Sequence, residues 1–432
     1  MDKEKLKHRL GALKTKLAFL KPWDIDDKDF REDLEIREIR TDREGYTGRT
    51  QEQSVRMSAE ESRRRAGSAA GLLLVLVLLV GGGFYYYNSH HQFSDYVITS
   101  TDDSLDIEGS GYALLGKSII KYSSDGVFCV DTHNTTKWSA AYSMQTPIID
   151  SCENTMVIAE QQGKQVYVIN EDGVLGNFET SLPILKAHVS EQGVTALILK
   201  DDDVTWVELY SYAGEEIAAI KATLQDYGYP LDVAITPDAS RMMVSFLGIS
   251  QGTVSSKLAF FDFSSSDEAD ESHMIGSLDY PGRVFPEVYY ADASTTVALS
   301  DQGFVVIKDG SQPEEQASVM FEKEIISSFH DQNYVGFVFE NDAVDCKYDL
   351  ELYSYSGKRK MQKDFDSEYS QVRMDSGEIL LYDTAHCTVY TVAGTRRFSS
   401  DYEKQIAYFM KLPEFRKYLV ITDDSMDQIR IG

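Results

Sequence analysis

QVYVINEDG at 165–173, VELYSYAG at 207–214, LELYSYSG at 350–357 and TVYTVAG at 388–394 are four versions of one short pattern. Apolar and aromatic side chains recur at every second position, and each run closes on a glycine. A period of two sends successive side chains to opposite faces of a strand, and the closing Asp-Gly, Ala-Gly or Ser-Gly marks a hairpin. Outward from these runs, the sequence continues as short strands rich in Val, Ile, Tyr and Phe, with turn residues every eight to twelve positions, from about residue 92 to the end. That texture predicts an all-β domain.

The strands group into units. Pro147 to Ser181 reads PIIDSCEN, TMVIAEQQG, KQVYVINEDG, VLGNFETS, and a parallel unit runs from Pro183 to Leu224. A third begins at Pro230, and later ones near Val284, Ile325 and Tyr369. Four strands in roughly 40 residues is one blade of a β-propeller. Seven complete units fill about 104–406, and IAYFMKL, KYLVITDD and QIRIG supply three further strands at 406–432. A three-stranded blade would leave an open edge, which proteins avoid. DYVITS, Asp95–Ser100, is the natural fourth strand, with Tyr96, Ile98 and Ser100 on one side and Val97 and Thr99 on the other. The prediction is an eight-bladed propeller. Seven blades is the alternative if the first unit is not a full blade.

SIIKYSSDGVFCVDTHNTTKW, Ser118–Trp138, resembles the repeat of quinoprotein-like (PQQ-like) propellers through Ser123-Asp125-Gly126, Val130-Asp131 and Trp138. The other units lack the Trp, so beyond the first unit the resemblance is to a degenerate propeller. The layout as a whole also resembles membrane-anchored propeller proteins of Gram-positive anaerobes. These resemblances imply a fold and a location, and no activity.

Ahead of the β domain lies a different chain. Residues 66–87, AGSAAGLLLVLVLLVGGGFYYY, are 22 residues without a charge. A helix of that length spans roughly 30 Å, the thickness of a bilayer core. Arg63, Arg64 and Arg65 abut its N-terminal side, which places the N-terminus in the cytoplasm and residues 88–432 outside. Phe84, Tyr85, Tyr86 and Tyr87 then fall at the outer interface, where aromatic rings gather. The run starts too far from residue 1 for a cleaved signal peptide, so an uncleaved anchor is expected. Residues 1–21 carry Leu6, Leu10, Leu13, Leu17 and Leu20 at helical spacing among lysines and predict a basic amphipathic helix. Residues 22–65 are polar and charged and predict a disordered cytoplasmic linker.

Charge is divided unevenly. The chain carries −28 formally, with residues 1–65 close to balance and the rest at −30. Such a surface excludes nucleic acid as a partner. Chemistry is sparse. His133, His188, His273, His330 and His386 fall in separate units without metal-ligand spacing and read as surface or turn residues. Asp201-Asp202-Asp203 and the Asp267, Glu268, Asp270, Glu271 cluster lack calcium-loop spacing and read as solvated loops. Cys129, Cys152, Cys346 and Cys387 show no CxxC and read as small buried hydrophobes; a Cys346–Cys387 disulfide stays open. The vicinal cysteine pair of many quinoprotein dehydrogenases is absent, and only three Trp are present, Trp23, Trp138 and Trp206. No catalytic, cofactor or metal residues are assigned. The function predicted is a non-catalytic binding scaffold of the cell envelope with a protein or envelope-polymer partner. A receptor signalling to a cytoplasmic partner is the alternative, and a quinoprotein-type oxidoreductase comes behind it.

Overall fold

The computed structural model describes residues 75–83, 91–103, 109–201, 204–223, 227–250, 252–264, 273–341 and 346–432. The predicted amphipathic helix, linker and arginine cluster, the aromatic run Phe84–Tyr87 and most acidic loop residues lie outside these. Residues 75–83 are helical, with Val75 to Val80 exposed. Among the described residues no helix is long and apolar enough to cross a membrane, and the rest of 66–87 lies outside them.

From residue 91 onward, eight four-stranded antiparallel sheets form the eight blades. Blade 1 spans Gly111–Ala141, blade 2 Pro147–Glu179, blade 3 Ile184–Ala222 and blade 4 Tyr229–Pro281. Blade 5 spans Glu287–Met320, blade 6 Ile325–Phe365 and blade 7 Gln371–Asp401. Blade 8 takes Ile406–Lys411, Lys417–Thr422 and Ser425–Ile431 from the C-terminal end, and its outermost strand is Tyr96–Asp103. The expected closing strand is therefore present. Its expected alternation is broken, however: a bulge between Ile98 and Ser100 leaves Thr99 out of the ladder, and pairing resumes as Ser100 with Gln428. An extra residue in one strand shifts every later side chain to the other face.

Each blade presses on both neighbours. The second and third strands are accordingly buried along almost their whole length, as in Thr155–Glu160, Gly303–Lys308 and Glu378–Tyr382. Eight apolar clusters result, one between each pair of consecutive blades. The Leu, Ile, Val and Phe side chains in them contribute about 1.5–3 kcal/mol each when fully buried. The closing contact, between blades 8 and 1, packs Met410, Leu419 and Met426 on Tyr112, Ile119 and Val130.

Gly173 pairs with Asn170 across a two-residue loop, but the other three quoted glycines do not sit in two-residue hairpins. In blades 3, 6 and 7 an i+3→i bond (Gly214 to Ser211, Gly357 to Ser354, Gly394 to Thr391) closes the turn, and the fourth strand then carries one extra residue, Ile217, Lys360 or Arg397, that the ladder skips. These glycines have φ of 81°, 74° and 82°, the left-handed conformation that a bulged hairpin requires. Blade 1 makes the same turn with Asn134 in that place, and Asp131 Oδ1 accepts from the N–H groups of His133 and Thr135. Trp138, the other marker of that unit, donates its indole N–H to the Glu171 carbonyl of blade 2 at 3.0 Å.

Antiparallel order fixes two faces. The first–second and third–fourth turns of every blade lie on one, and the second–third turns and the blade-to-blade loops on the other. The chain enters the ring at Tyr96 opposite Ile431, so entry and exit share the first face. Phe93 is buried between blades 7 and 8 just before that entry, and its N–H donates to the Arg397 carbonyl.

Candidate functional site

The first strand of each blade lies next to the axis, and it is less uniformly buried than the second and third strands, as Pro147–Cys152 is beside Thr155–Glu160 and Gln165–Asn170. Asp150, His188 and Asp232, on the first strands of blades 2, 3 and 4, meet there. The His188 Nε2 lies 3.0 Å from Asp232 Oδ1, and its Nδ1 lies 3.6 Å from Asp150 Oδ2. Each carboxylate also joins two blades through the backbone. The Val189 N–H donates to Asp150 at 2.9 Å, and the Val288 N–H donates to the other oxygen of Asp232 at 2.9 Å. Asp375 repeats the device in blade 7 by accepting from the Lys411 N–H of blade 8. His188 thus holds three consecutive blades together, although its spacing in the sequence marks it as a surface or turn residue. About a quarter of its side chain remains accessible, from the axial side.

Burial alone would lower the His188 pKa. The Asp150 charge and hydrogen bond, and those of Asp232, outweigh it and push the imidazole up to about 10. The side chain is an imidazolium at neutral pH, shared between two carboxylates. Lys186 Nζ lies 3.6 Å from Asp232 on its outer side.

These groups line a cavity of about 250 Å³ on the axis. Ser151, Cys152, Glu287, Tyr289 and His330 complete its polar wall, and Val189, Ala234, Ile235, Pro237 and Val288 its apolar one. Tyr289 and His330 stack face to face at 3.6 Å and 6°, with His330 Nε2 3.6 Å from Glu287. Burial, with the Tyr355 hydroxyl beside it, pushes the Tyr289 phenol well up. Burial and the nearby Asp150, Glu153 and Glu191 charges push the Cys152 thiol up to about 11, so it carries no thiolate at neutral pH. Beside the cavity, Gln332 of blade 6 donates to Glu153 of blade 2 at 3.0 Å, across the ring. Among the described residues, three carboxylates and the His188 imidazolium line this space without a Lys or Arg, and Lys186 stands outside it beside Asp232.

All four cysteines are free, with Cys129 and Cys387 buried, so Cys346 and Cys387 do not pair in this structure. Among the described residues no group of three or more His, Cys, Asp or Glu could hold a metal ion. His386 contacts Asp401, Thr388 and Ser399 on blade 7, away from the axis.

A family model described as "Family of unknown function (DUF5711)" matches residues 89–431. No curated protein matches the chain in sequence. Among solved structures, the Chaetomium thermophilum Sqt1 is similar at a TM-score of 0.50 and 9% identity, covering 78% of this chain and 98% of that one. BamB from Moraxella catarrhalis gives 0.48 and 10% identity, covering 78% and 100%, and AztD from Citrobacter koseri gives 0.47 and 7%, covering 69% and 86%. At such identities the likeness concerns the fold alone.

Proposed function

The chain belongs to the family of unknown function DUF5711, and we propose that it is a membrane-anchored binding scaffold whose propeller lies outside the cytoplasm. The observation that carries this reading is the closure of the ring. The strand Tyr96–Asp103, immediately beyond the apolar run, completes blade 8, and both ends of the ring share one face. The opposite face is left to second–third turns and blade-to-blade loops on a rigid frame, the arrangement that suits recognition. The uncharged run 66–87, with its arginine flank, supports the anchor and the orientation.

The polar groups of the axial cavity support a binding role over a catalytic one. Both nitrogens of His188 face carboxylates, and both oxygens of Asp232 are engaged. The one thiol is held protonated. None of these is poised as a nucleophile or base. The excess of carboxylate over fixed cation selects a positively charged group of a protein or envelope-polymer partner.

The test is protease added to the outside of wall-stripped cells that express the full chain. Digestion of residues 88–432, about four-fifths of the 48.7 kDa chain, is expected. Full protection of that fragment until the membrane is opened would overturn the orientation. Release of the intact chain by alkaline carbonate would overturn the anchor.

A further inference from the structure

The face that carries both ends of the ring is electrically divided. Around blades 2–5 its turns and strand ends are acidic, as at Glu153, Glu171, Glu191, Glu215, Asp238 and Glu314. Around blades 6–8 they are basic. Lys358, Arg359 and Lys360 follow the third–fourth turn of blade 6, Arg396 that of blade 7, and Arg416 and Lys417 the first–second turn of blade 8. The acidic residues on this part of the face are Asp95 before the entry strand, Asp331 in the first–second turn of blade 6, Glu414 in that of blade 8, and Asp375 and Glu378 flanking that of blade 7, the last two buried. Over the whole of 325–432 there are 13 Lys and Arg against 18 Asp and Glu, whereas 88–324 has 12 against 37. The formal charges are −5 and −25, so the basic rim is a local feature of a strongly acidic domain.

The same rim exposes apolar side chains. Phe415 is 50% exposed, Val97 65% and Ile98 46%. Arg416 stacks over Phe93 at 4.2 Å and over Phe415 at 5.0 Å. Val97, Arg430 and Lys417 are direct cross-strand partners and so share one side of blade 8. Lys358, Lys360, Arg396 and Arg430 are exposed. Exposed Phe and Val among Lys and Arg is the composition of a surface that enters the headgroup region of a bilayer. Only eight residues, 88–95, separate the end of the apolar run from the entry strand. Fully extended at about 3.5 Å each, they reach no more than roughly 30 Å.

We propose that the blade 6–8 rim of this face docks on an anionic membrane surface, a reading that rests on the anchored topology proposed above. Phe415, Val97 and Ile98 enter the interface, and Lys358, Lys360, Arg396 and Arg430 meet lipid phosphates. The acidic turns of blades 2–5 are repelled by the same surface. The ring therefore tilts, with that acidic half raised from the lipid.

The test uses the full chain in proteoliposomes with brominated lipid as a contact quencher. Phe415→Trp reports the rim, and Tyr229→Trp reports the opposite face, where Tyr229 is exposed. In vesicles of phosphatidylcholine with one-third phosphatidylglycerol, Trp at 415 is quenched and Trp at 229 is not. Quenching at 415 is at least halved in phosphatidylcholine alone. It is also at least halved by Lys358→Glu, Lys360→Glu, Arg396→Glu and Arg430→Glu combined, with circular dichroism unchanged. Equal quenching at both reporters, or quenching at 415 that ignores lipid charge and these substitutions, would overturn the proposal. Cross-links between the basic rim of one copy and the acidic turns of another would assign the surface to a second copy and overturn it too. Retention in carbonate without quenching would remove this proposal alone, whereas loss from the vesicles in carbonate would remove the anchored reading with it.

Discussion

Glu378 and Asp232 are both buried carboxylates that tie blades together, and they are neutralised in different ways. Glu378, on the second strand of blade 7, is bound by Arg397, by Lys411 Nζ at 2.9 Å and by the Tyr418 hydroxyl at 2.7 Å. Two cations answer one anion, only 4% of its side chain is exposed, and the buried Phe93 packs in the same interface. At the axis, the His188 imidazolium and the half-exposed Lys186 ammonium, 3.6 Å from Asp232, serve three carboxylates, Asp150, Asp232 and Glu287, beside an open cavity. The first centre is complete without a ligand. The second keeps an excess of negative charge beside a space. Burial of charge alone therefore does not distinguish the two centres; incomplete compensation next to a cavity does.

The contrast is most severely broken by opening the sealed centre. A chain beginning at residue 104 lacks Phe93 and the outermost strand of blade 8, which one beginning at 91 keeps. Its loss exceeds the about 3–5 kcal/mol typical of removing one buried Phe side chain, because the Ser425–Ile431 edge is also bared. Scanning calorimetry should show a much lower melting temperature with aggregation, and equal melting would mean that blade 8 stands without its borrowed strand.

Next in size is Glu378→Ala, which leaves Arg397 and Lys411 without their partner. A loss of about 3–5 kcal/mol in urea unfolding is expected, as for other broken buried pairs. A loss under about 1 kcal/mol would place the centre on the same footing as a surface pair.

His188→Gln should cost less, about 1–3 kcal/mol, because the axial group is partly open to water and Lys186 stays near Asp232. It also carries a pH signature. The folded pKa of about 10 lies above the unconstrained 6.5, so the stabilisation is complete below about pH 6.5 and is lost as pH rises through 10. Wild-type protein should lose stability between pH 7 and 10, and His188→Gln should flatten that slope. An unchanged slope in the variant would show that another group titrates there.

The smallest effect is expected from Tyr418→Phe. It removes one hydroxyl from Glu378 and leaves both cations, so about 1 kcal/mol is at stake. A loss as large as that of Glu378→Ala would show that the phenol, rather than the cations, holds the centre.

The blades were legible in the sequence because their second and third strands are buried on both sides and repeat as near-continuous apolar runs. The borrowed strand was legible because an incomplete last unit needs a partner. The bulges were not: Thr99 looks like any other member of DYVITS, and only pairing with Ile429 and Gln428 shows that it is skipped. The axial group was hidden for a related reason. Asp150, His188 and Asp232 stand three, five and two residues after the leading prolines Pro147, Pro183 and Pro230. No alignment of the units stacks them. Register shifts after Ile184 and Pro230 help bring them level. A buried polar residue on each inner strand is the available signal, and it does not identify partners.

The way Tyr96–Asp103 joins blade 8 also has a mechanical meaning. The strand enters on the face that bears both ends and runs antiparallel to Ser425–Ile431 through seven registered pairs. A pull on residue 91 directed away from that face runs along the strand axis. Force so applied loads the ladder hydrogen bonds together, in shear, rather than breaking them one after another as a peel would. The Phe93 contact with Phe398 and the Arg397 carbonyl lies ahead of the ladder and takes strain first. Tension along the chain is thus met by a short sacrificial contact and then by a whole strand, and the other seven blades are spared until both have yielded.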